Sequence, residues 1–230
     1  MRKKWNPKMA PYIFMERKGI HIIDLNRTLD AMERAANAMR AIAKSGRKIL
    51  FVSTKKQARD IVATAAQSVG MPYVADRWLG GMMTNFSTIK RSVKKMQSIE
   101  RMLADGTASS MTKKERLTLE RERLKMAKVL GGIENLSRLP AAVFIVDVSH
   151  EHIAVAEAQR LGVRTFAIVD TNSDPNQVDF AIPGNDDASK SVAIITNYLT
   201  EAIRQGLEDK SEAKTEAETQ EEPAVEAAEG

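Results

Sequence analysis

Strands that alternate with helices, and strands that are apolar along their whole length, predict an α/β protein built on a parallel sheet of about five strands. Helices cover both faces of such a sheet, so its strands have no polar side. Lys48-Ile49-Leu50-Phe51-Val52-Ser53 and Ala141-Ala142-Val143-Phe144-Ile145-Val146-Asp147 show this most clearly. A third observation modifies the picture. Between residues 85 and 131 the rhythm gives way to two basic helical stretches, which read as an insertion.

The elements follow in order. Residues 1–20 form a basic arm containing Trp5, and Pro7 and Pro11 argue against a helix there. Tyr12 to Met15 and His21 to Asp24 read as short extended pieces. Leu25, Leu29, Met32, Ala36, Met39 and Ala43 recur at helical spacing, with Asp24 or Asn26 as the N-cap and Gly46 as the C-terminal stop. The strand at 48–53 leads to a helix from Thr54 to Val69, closed by Gly70, and Pro72 to Ala75 is a second short strand. In the insertion, Ile89, Val93, Met96, Ile99 and Leu103 mark one helix face. Thr112 and Glu115 form a capping box for a second helix with an apolar line of Leu117, Leu124, Ala127 and Leu130. Two helices joined by a short polar turn predict an antiparallel, coiled-coil hairpin. The α/β pattern then resumes with the strand at 141–147, a helix over 152–161 ended by Gly162, strands at 164–170 and 178–182, and a helix from Asp186 or Asp187 to about Gln205. The expected architecture is a flavodoxin-like or Rossmann-like sandwich formed by residues 21–84 and 132–207, with the hairpin of 85–131 inserted.

Composition narrows the function. Without cysteine, disulfides, thiolate zinc sites and cysteine nucleophiles are excluded. No apolar run reaches the roughly 18 residues of a membrane span. The net charge of +5 hides a division, since residues 208–230 carry −7 and the rest of the chain +12. The acidic segment, rich in Ala, Glu and Thr, has too little apolar surface to offset its ordering entropy and is expected to be disordered. The basic remainder points to a polyanionic partner.

The residues of an enzyme would stand at the carboxyl ends of the strands, where open α/β sheets bind ligands. The turn Val52-Ser53-Thr54-Lys55-Lys56-Gln57 has no glycine, so it is neither a dinucleotide fingerprint nor a phosphate loop. Lys55 and Lys56 could still hold one phosphate at a helix start. His150 and His152 resemble metal ligands but lack further partners nearby in sequence. Asp147, Asp170 and Asp174 stand where acid catalysts or magnesium ligands would, yet they equally suit turns. No nucleophile, base and oxyanion site can be assembled from these residues, and no cofactor is implied.

The cationic surface carries more. Arg2, Lys3, Lys4, Trp5, Asn6 and Lys8 of the arm are candidate RNA-binding residues, as are Lys55 and Lys56 of the turn. So are Arg77, Trp78 and Asn85 of Arg77-Trp78-Leu79-Gly80-Gly81-Met82-Met83-Thr84-Asn85, and Lys90, Arg91, Lys94 and Lys95 of the first hairpin helix. Asn85 is also placed to cap that helix. Without a recognition helix or an aromatic sheet motif, the mode indicated is recognition of folded RNA through its shape and phosphates. A phosphate-using enzyme and a module that binds acidic proteins stay open as alternatives.

Several motifs, in order and over residues 3–206, resemble the bacterial small-subunit ribosomal protein S-two family. They are Trp5-Asn6-Pro7-Lys8-Met9, the stretch from Arg77 to Asn85, Gly131-Gly132-Ile133, Asp147 to Ile153, Phe166 to Pro175 and Ile182 to Asp187. The resemblance implies an α/β sandwich with a protruding helical hairpin. It also implies binding to 16S rRNA between the head and body of the small (30S) subunit, and no catalysis. Its implied partners are neighbouring ribosomal proteins, including in many bacteria the large mRNA-binding ribosomal protein S-one, and its implied location is the cytoplasm. Family members usually carry a further helix and a Gly-Val-His-Phe-Gly-His-like segment before the Trp-Asn-Pro-Lys motif. Here Met1 stands four residues before Trp5, so the start is either misassigned or shortened.

Overall fold

The computed structural model describes residues 5–105 and 111–226. Its centre is a five-stranded, all-parallel sheet in the order β4-β3-β5-β6-β7. The strands are β3 (Ile49–Val52), β4 (Tyr73–Val74), β5 (Ala142–Val146), β6 (Arg164–Val169) and β7 (Phe180–Pro183). Every residue of β3 and β5 is buried, as their unbroken apolar runs required.

Side chains alternate between two cores. Ile49, Phe51, Phe144, Phe166 and Ile168 face α1 (Leu25–Lys44), α2 (Arg59–Ser68) and the start of α6 (Ser189–Glu226). Leu50, Val52, Val143, Ile145 and Val169 face the other way, towards α5 (His152–Leu161), Trp78, Met82, Met83 and the first half of α3 (Phe86–Ala104). The period-two pleat thus turns one apolar run into two cores.

The extended pieces near the N-terminus pair with each other as an antiparallel ribbon, β1 (Ile13–Arg17) with β2 (Ile20–Ile23), turned by Lys18 and Gly19 at positive φ. Asp24 caps α1 by accepting from the Asn26 N–H at 2.9 Å. Between β4 and β5 the chain forms α3 and α4 (Lys113–Leu130), linked by the ion pairs Lys95–Glu122 at 2.6 Å and Glu100–Arg123 at 3.4 Å. Thr112 and Glu115 make the reciprocal capping box at the start of α4. The apolar line expected on α4 differs: Leu117 and Leu124 are exposed, and Leu130 alone is fully buried there.

Two further expectations are corrected. The helix after β3 begins at Arg59 and not at Thr54, because Glu151 holds Thr54 outside the helix, accepting from its N–H at 2.6 Å and its hydroxyl at 2.7 Å. The last helix does not stop near Gln205, and the segment from 208 does not begin as disordered chain. Backbone helix continues to Glu226, and Asp209 accepts two 3.0 Å hydrogen bonds from Arg40 of α1. Gly206 explains the close packing of this helix on α1. A Cβ there would lie 2.4 Å from the Arg40 carbonyl oxygen, so the glycine lets α6 lie close against α1.

Gly206→Ala therefore sets two effects against each other. Helix propensity gains about 1 kcal/mol, while a methyl pressed against backbone costs roughly 2–3 kcal/mol. A net loss of roughly 1–2 kcal/mol is expected, seen as a lower urea midpoint at unchanged m-value. A raised midpoint would show that α1 and α6 do not touch at this position.

Candidate nucleic-acid interface

The stretch from Arg77 to Asn85 links β4 to α3, and its backbone supplies few partners for itself. Met82 N–H donates to the Leu79 carbonyl at 3.0 Å and Asn85 N–H to the Gly81 carbonyl at 2.8 Å. Three other N–H groups go to one side chain, Glu157 of α5. Its Oε1 accepts from Gly81 at 2.8 Å, and its Oε2 from Met83 at 3.0 Å and Thr84 at 2.9 Å. The Trp78 indole N–H (3.1 Å) and the Thr84 hydroxyl (3.0 Å) complete five donors on one carboxylate. Gly81, at φ +84°, takes a backbone turn that a side chain would strain. Burial alone would raise the Glu157 carboxyl. The hydrogen bonds from Thr84, Trp78, Met83 and Gly81 outweigh it and hold the group below its ordinary value.

This geometry divides the motif. Trp78 is 8% exposed and packs in the core on the α5 side of the sheet, so its ring is not offered to a ligand. Arg77 is exposed and makes no hydrogen bond or ion pair with another described residue. Asn85 stands at the N-cap of α3 without the side-chain cap expected of it; its Oδ1 accepts only from the Ser87 hydroxyl, at 3.5 Å. Along α3, Arg91 and Lys94 are exposed. Lys90 donates to the Ser137 carbonyl at 2.7 Å and lies over the Phe86 ring, and Lys95 is paired with Glu122.

The turn lysines separate as well. Lys56 is exposed, but Lys55 is drawn inward to the carboxyl ends of β3, β5 and β7. Its ammonium lies 3.1 Å from Asp147, 2.7 Å from Asp186 and 2.6 Å from Asp187. Burial opposes its charge, yet these three carboxylates outweigh burial and raise its pKa. Lys55 is therefore an internal counter-ion and not part of a cationic surface. Asp186 is wholly buried; burial, with Asp147 and Asp170 nearby, pushes it up to about 6 against the pull of Lys55. Asp170, Asp186 and Asp187 bring carboxylate oxygens within 4.8 Å of one another, and the Lys55 ammonium already neutralises this group in part.

Neither histidine joins a metal-ligand cluster among the described residues: His150 and His152 are exposed, and Glu151 between them is buried. Asp147, at φ +71°, caps the segment by accepting from the His150 N–H at 3.0 Å. Asp174 pairs with Lys8 at 2.5 Å, and that bond holds its carboxyl below the ordinary range. The arm is thereby docked. Asn6 N–H donates to the Thr171 carbonyl at 2.7 Å, Met9 is fully buried, and Trp5 lies against His21 with ring centroids 5.0 Å apart. Arg2, Lys3 and Lys4 lie outside the described residues. Sequence reading missed Glu157 and Glu151. The available signal was an acid on the inner face of α5, in line with the buried Ala154, Val155 and Ala158.

A family model described as Ribosomal protein S2 matches residues 1–206. The chain is 60% identical over 209 residues to the small ribosomal subunit protein uS2 of Cytophaga hutchinsonii, covering 91% of this chain and 81% of that one. It is 56% identical over 227 residues to the protein of the same name from Flavobacterium johnsoniae, covering 99% and 89%. To that of Bacteroides thetaiotaomicron it is 57% identical over 210 residues, covering 91% and 76%.

Glu157→Gln keeps the shape but replaces one acceptor oxygen with an NH₂ that faces N–H donors. At neutral pH it is expected to lose roughly 2–4 kcal/mol of unfolding free energy. Because the folded pKa lies below the ordinary 4.5, this contribution is complete above pH 4.5 and disappears as pH falls through the lowered value. Urea titrations across the acid range should show wild type and variant converging. A constant gap would mean that the carboxylate charge is not what holds the turn.

Proposed function

The chain belongs to the ribosomal protein S2 family, and from that premise we propose that it binds 16S rRNA through phosphate and shape contacts as a structural constituent of the small ribosomal subunit. The family is structural and the chain is not an enzyme. The observation that carries the RNA reading is Arg77, exposed and without a partner among the described residues, on a turn tied to the fold by Glu157 and continued by Arg91 and Lys94 along α3. Guanidinium and ammonium groups spread over a rigid surface suit a sugar-phosphate backbone, where counterion release supplies much of the affinity. The contact set proposed is Arg77, Lys56, Arg91 and Lys94, with Lys90, Lys95, Asn6, Lys8, Trp5 and the residues 2–4 as flanking contributors. Lys55 and Trp78 are left out because both are committed internally.

Docking of neighbouring ribosomal proteins, with ribosomal protein S-one among them, is proposed as a second role in the cytoplasmic ribosome. Apolar side chains support it: Leu25 and Leu29 of α1 and Ile194 of α6 are exposed along one groove, and Phe14 and Ile20 of the ribbon are exposed as well. Patches of this kind mark protein contacts.

Arg77→Ala is expected to weaken binding to a 16S rRNA fragment more than Lys114→Ala, and to lower the slope of log K against log salt by about 1. Lys114 lies near the distal end of the α3–α4 insertion. Equal losses in a salt-controlled assay would overturn the ranking. Failure of the tagged protein to co-sediment with small subunits after a moderate salt wash would sink the function itself.

A further inference from the structure

We propose that Glu157 is a positioning residue for RNA binding, setting where Arg77 and the basic face of α3 stand relative to each other. The inference rests on Arg77 being an RNA contact. Converging backbone N–H groups form a nest of the kind that binds anions. Here the N–H groups of Gly81, Met83 and Thr84 enclose the protein's own carboxylate. The same carboxylate fixes the Trp78 indole in the core, one residue from Arg77, while Arg77 remains exposed. On the far side of the nest the chain enters α3 at Phe86, within five residues of Lys90 and Arg91. One buried group on a helix packed against the sheet thus ties down both ends of the cationic surface. The turn's two remaining backbone bonds are too few to do so without it.

The sign of the effect separates positioning from charge. Glu157→Gln removes a negative charge, so the long-range field alone predicts tighter RNA binding. Positioning predicts weaker binding, on the order of tenfold, with the variant still folded. The test is a double-mutant cycle between Arg77→Ala and Glu157→Gln, read as affinity for a 16S rRNA fragment at fixed salt. Each protein's folded fraction is set by its own urea transition. Trp78→Phe, which removes a single donor to Glu157, serves as a milder second variant and should weaken binding in the same direction.

The expected result is strong non-additivity, in which Arg77→Ala costs much less affinity once Glu157 is Gln. A Glu157→Ala protein should regain part of its affinity in added acetate, which can refill the nest, and not in chloride at equal ionic strength. Additive losses, or tighter binding by Glu157→Gln, would overturn the positioning role. Should Glu157→Gln not fold, additivity of Trp78→Phe with Arg77→Ala overturns it equally. An Arg77→Ala protein that binds as wild type does overturns the underlying reading of Arg77, a separate outcome.

Discussion

Five hydrogen bonds to the Glu157 carboxylate hold the junction on which the exposed surface depends. A turn of nine residues leaving a two-residue edge strand has little backbone pairing available to it. Its N–H groups need partners once Met82, Met83 and Trp78 draw it into the core. A carboxylate accepts several bonds at once, and each such bond is stronger for the charge. The same interaction therefore satisfies a buried backbone, anchors a tryptophan and sets the take-off of α3. Packing alone would leave the buried Met83 N–H unmatched, at about 1–3 kcal/mol.

The second internal charge cluster explains why an α/β sheet can serve as a scaffold. The strand order reverses between β3 and β5, and at such a point the crevice beyond the carboxyl ends usually takes the ligand. In this protein that crevice is filled from within. Lys55 reaches from the end of β3 to Asp147 after β5 and to Asp186 and Asp187 after β7, and Glu151 closes the same turn through Thr54. With no glycine between Val52 and Gln57, the turn is not a glycine-rich phosphate loop. Side chains that would face a substrate in an enzyme instead tie three strand ends together.

The sheet was legible because its cause is local. Unbroken runs such as Ile49 to Val52 and Ala142 to Val146 permit little besides a doubly covered parallel strand. Caps and stops were legible for the same reason, at Asp24, Thr112 and Gly162. What one-dimensional reading could not supply was the direction of individual charges. Lys55 and Lys56 are neighbours of one residue type, yet one is internal and the other exposed, because the three aspartates that decide it lie about 90–130 residues away. Glu157 stands 73 positions beyond Thr84, and nothing in its own helix names its partners. Gly206 looked like the neighbourhood of a helix end, whereas its lack of a side chain admits α1. Local propensity and tertiary contact predict different things for the same glycine.

Charge therefore has two uses in this chain, and burial separates them. Buried acids and Lys55 act at fixed geometry, where hydrogen bonding to the charged form outweighs desolvation for Lys55 and Glu157 and does not for Asp186. Exposed cations at Arg77, Arg91 and Lys94 have no such partner among the described residues, and screening by salt weakens anything they do at a distance. A surface of this kind gains specificity only if its charges are held at set spacings, since single exposed ion pairs contribute little. Rigid placement has to come from beneath the surface. In this fold the buried Glu157 carboxylate fixes the turn that carries Arg77 and leads into α3, so towards an anionic partner its geometry and its sign act in opposite directions.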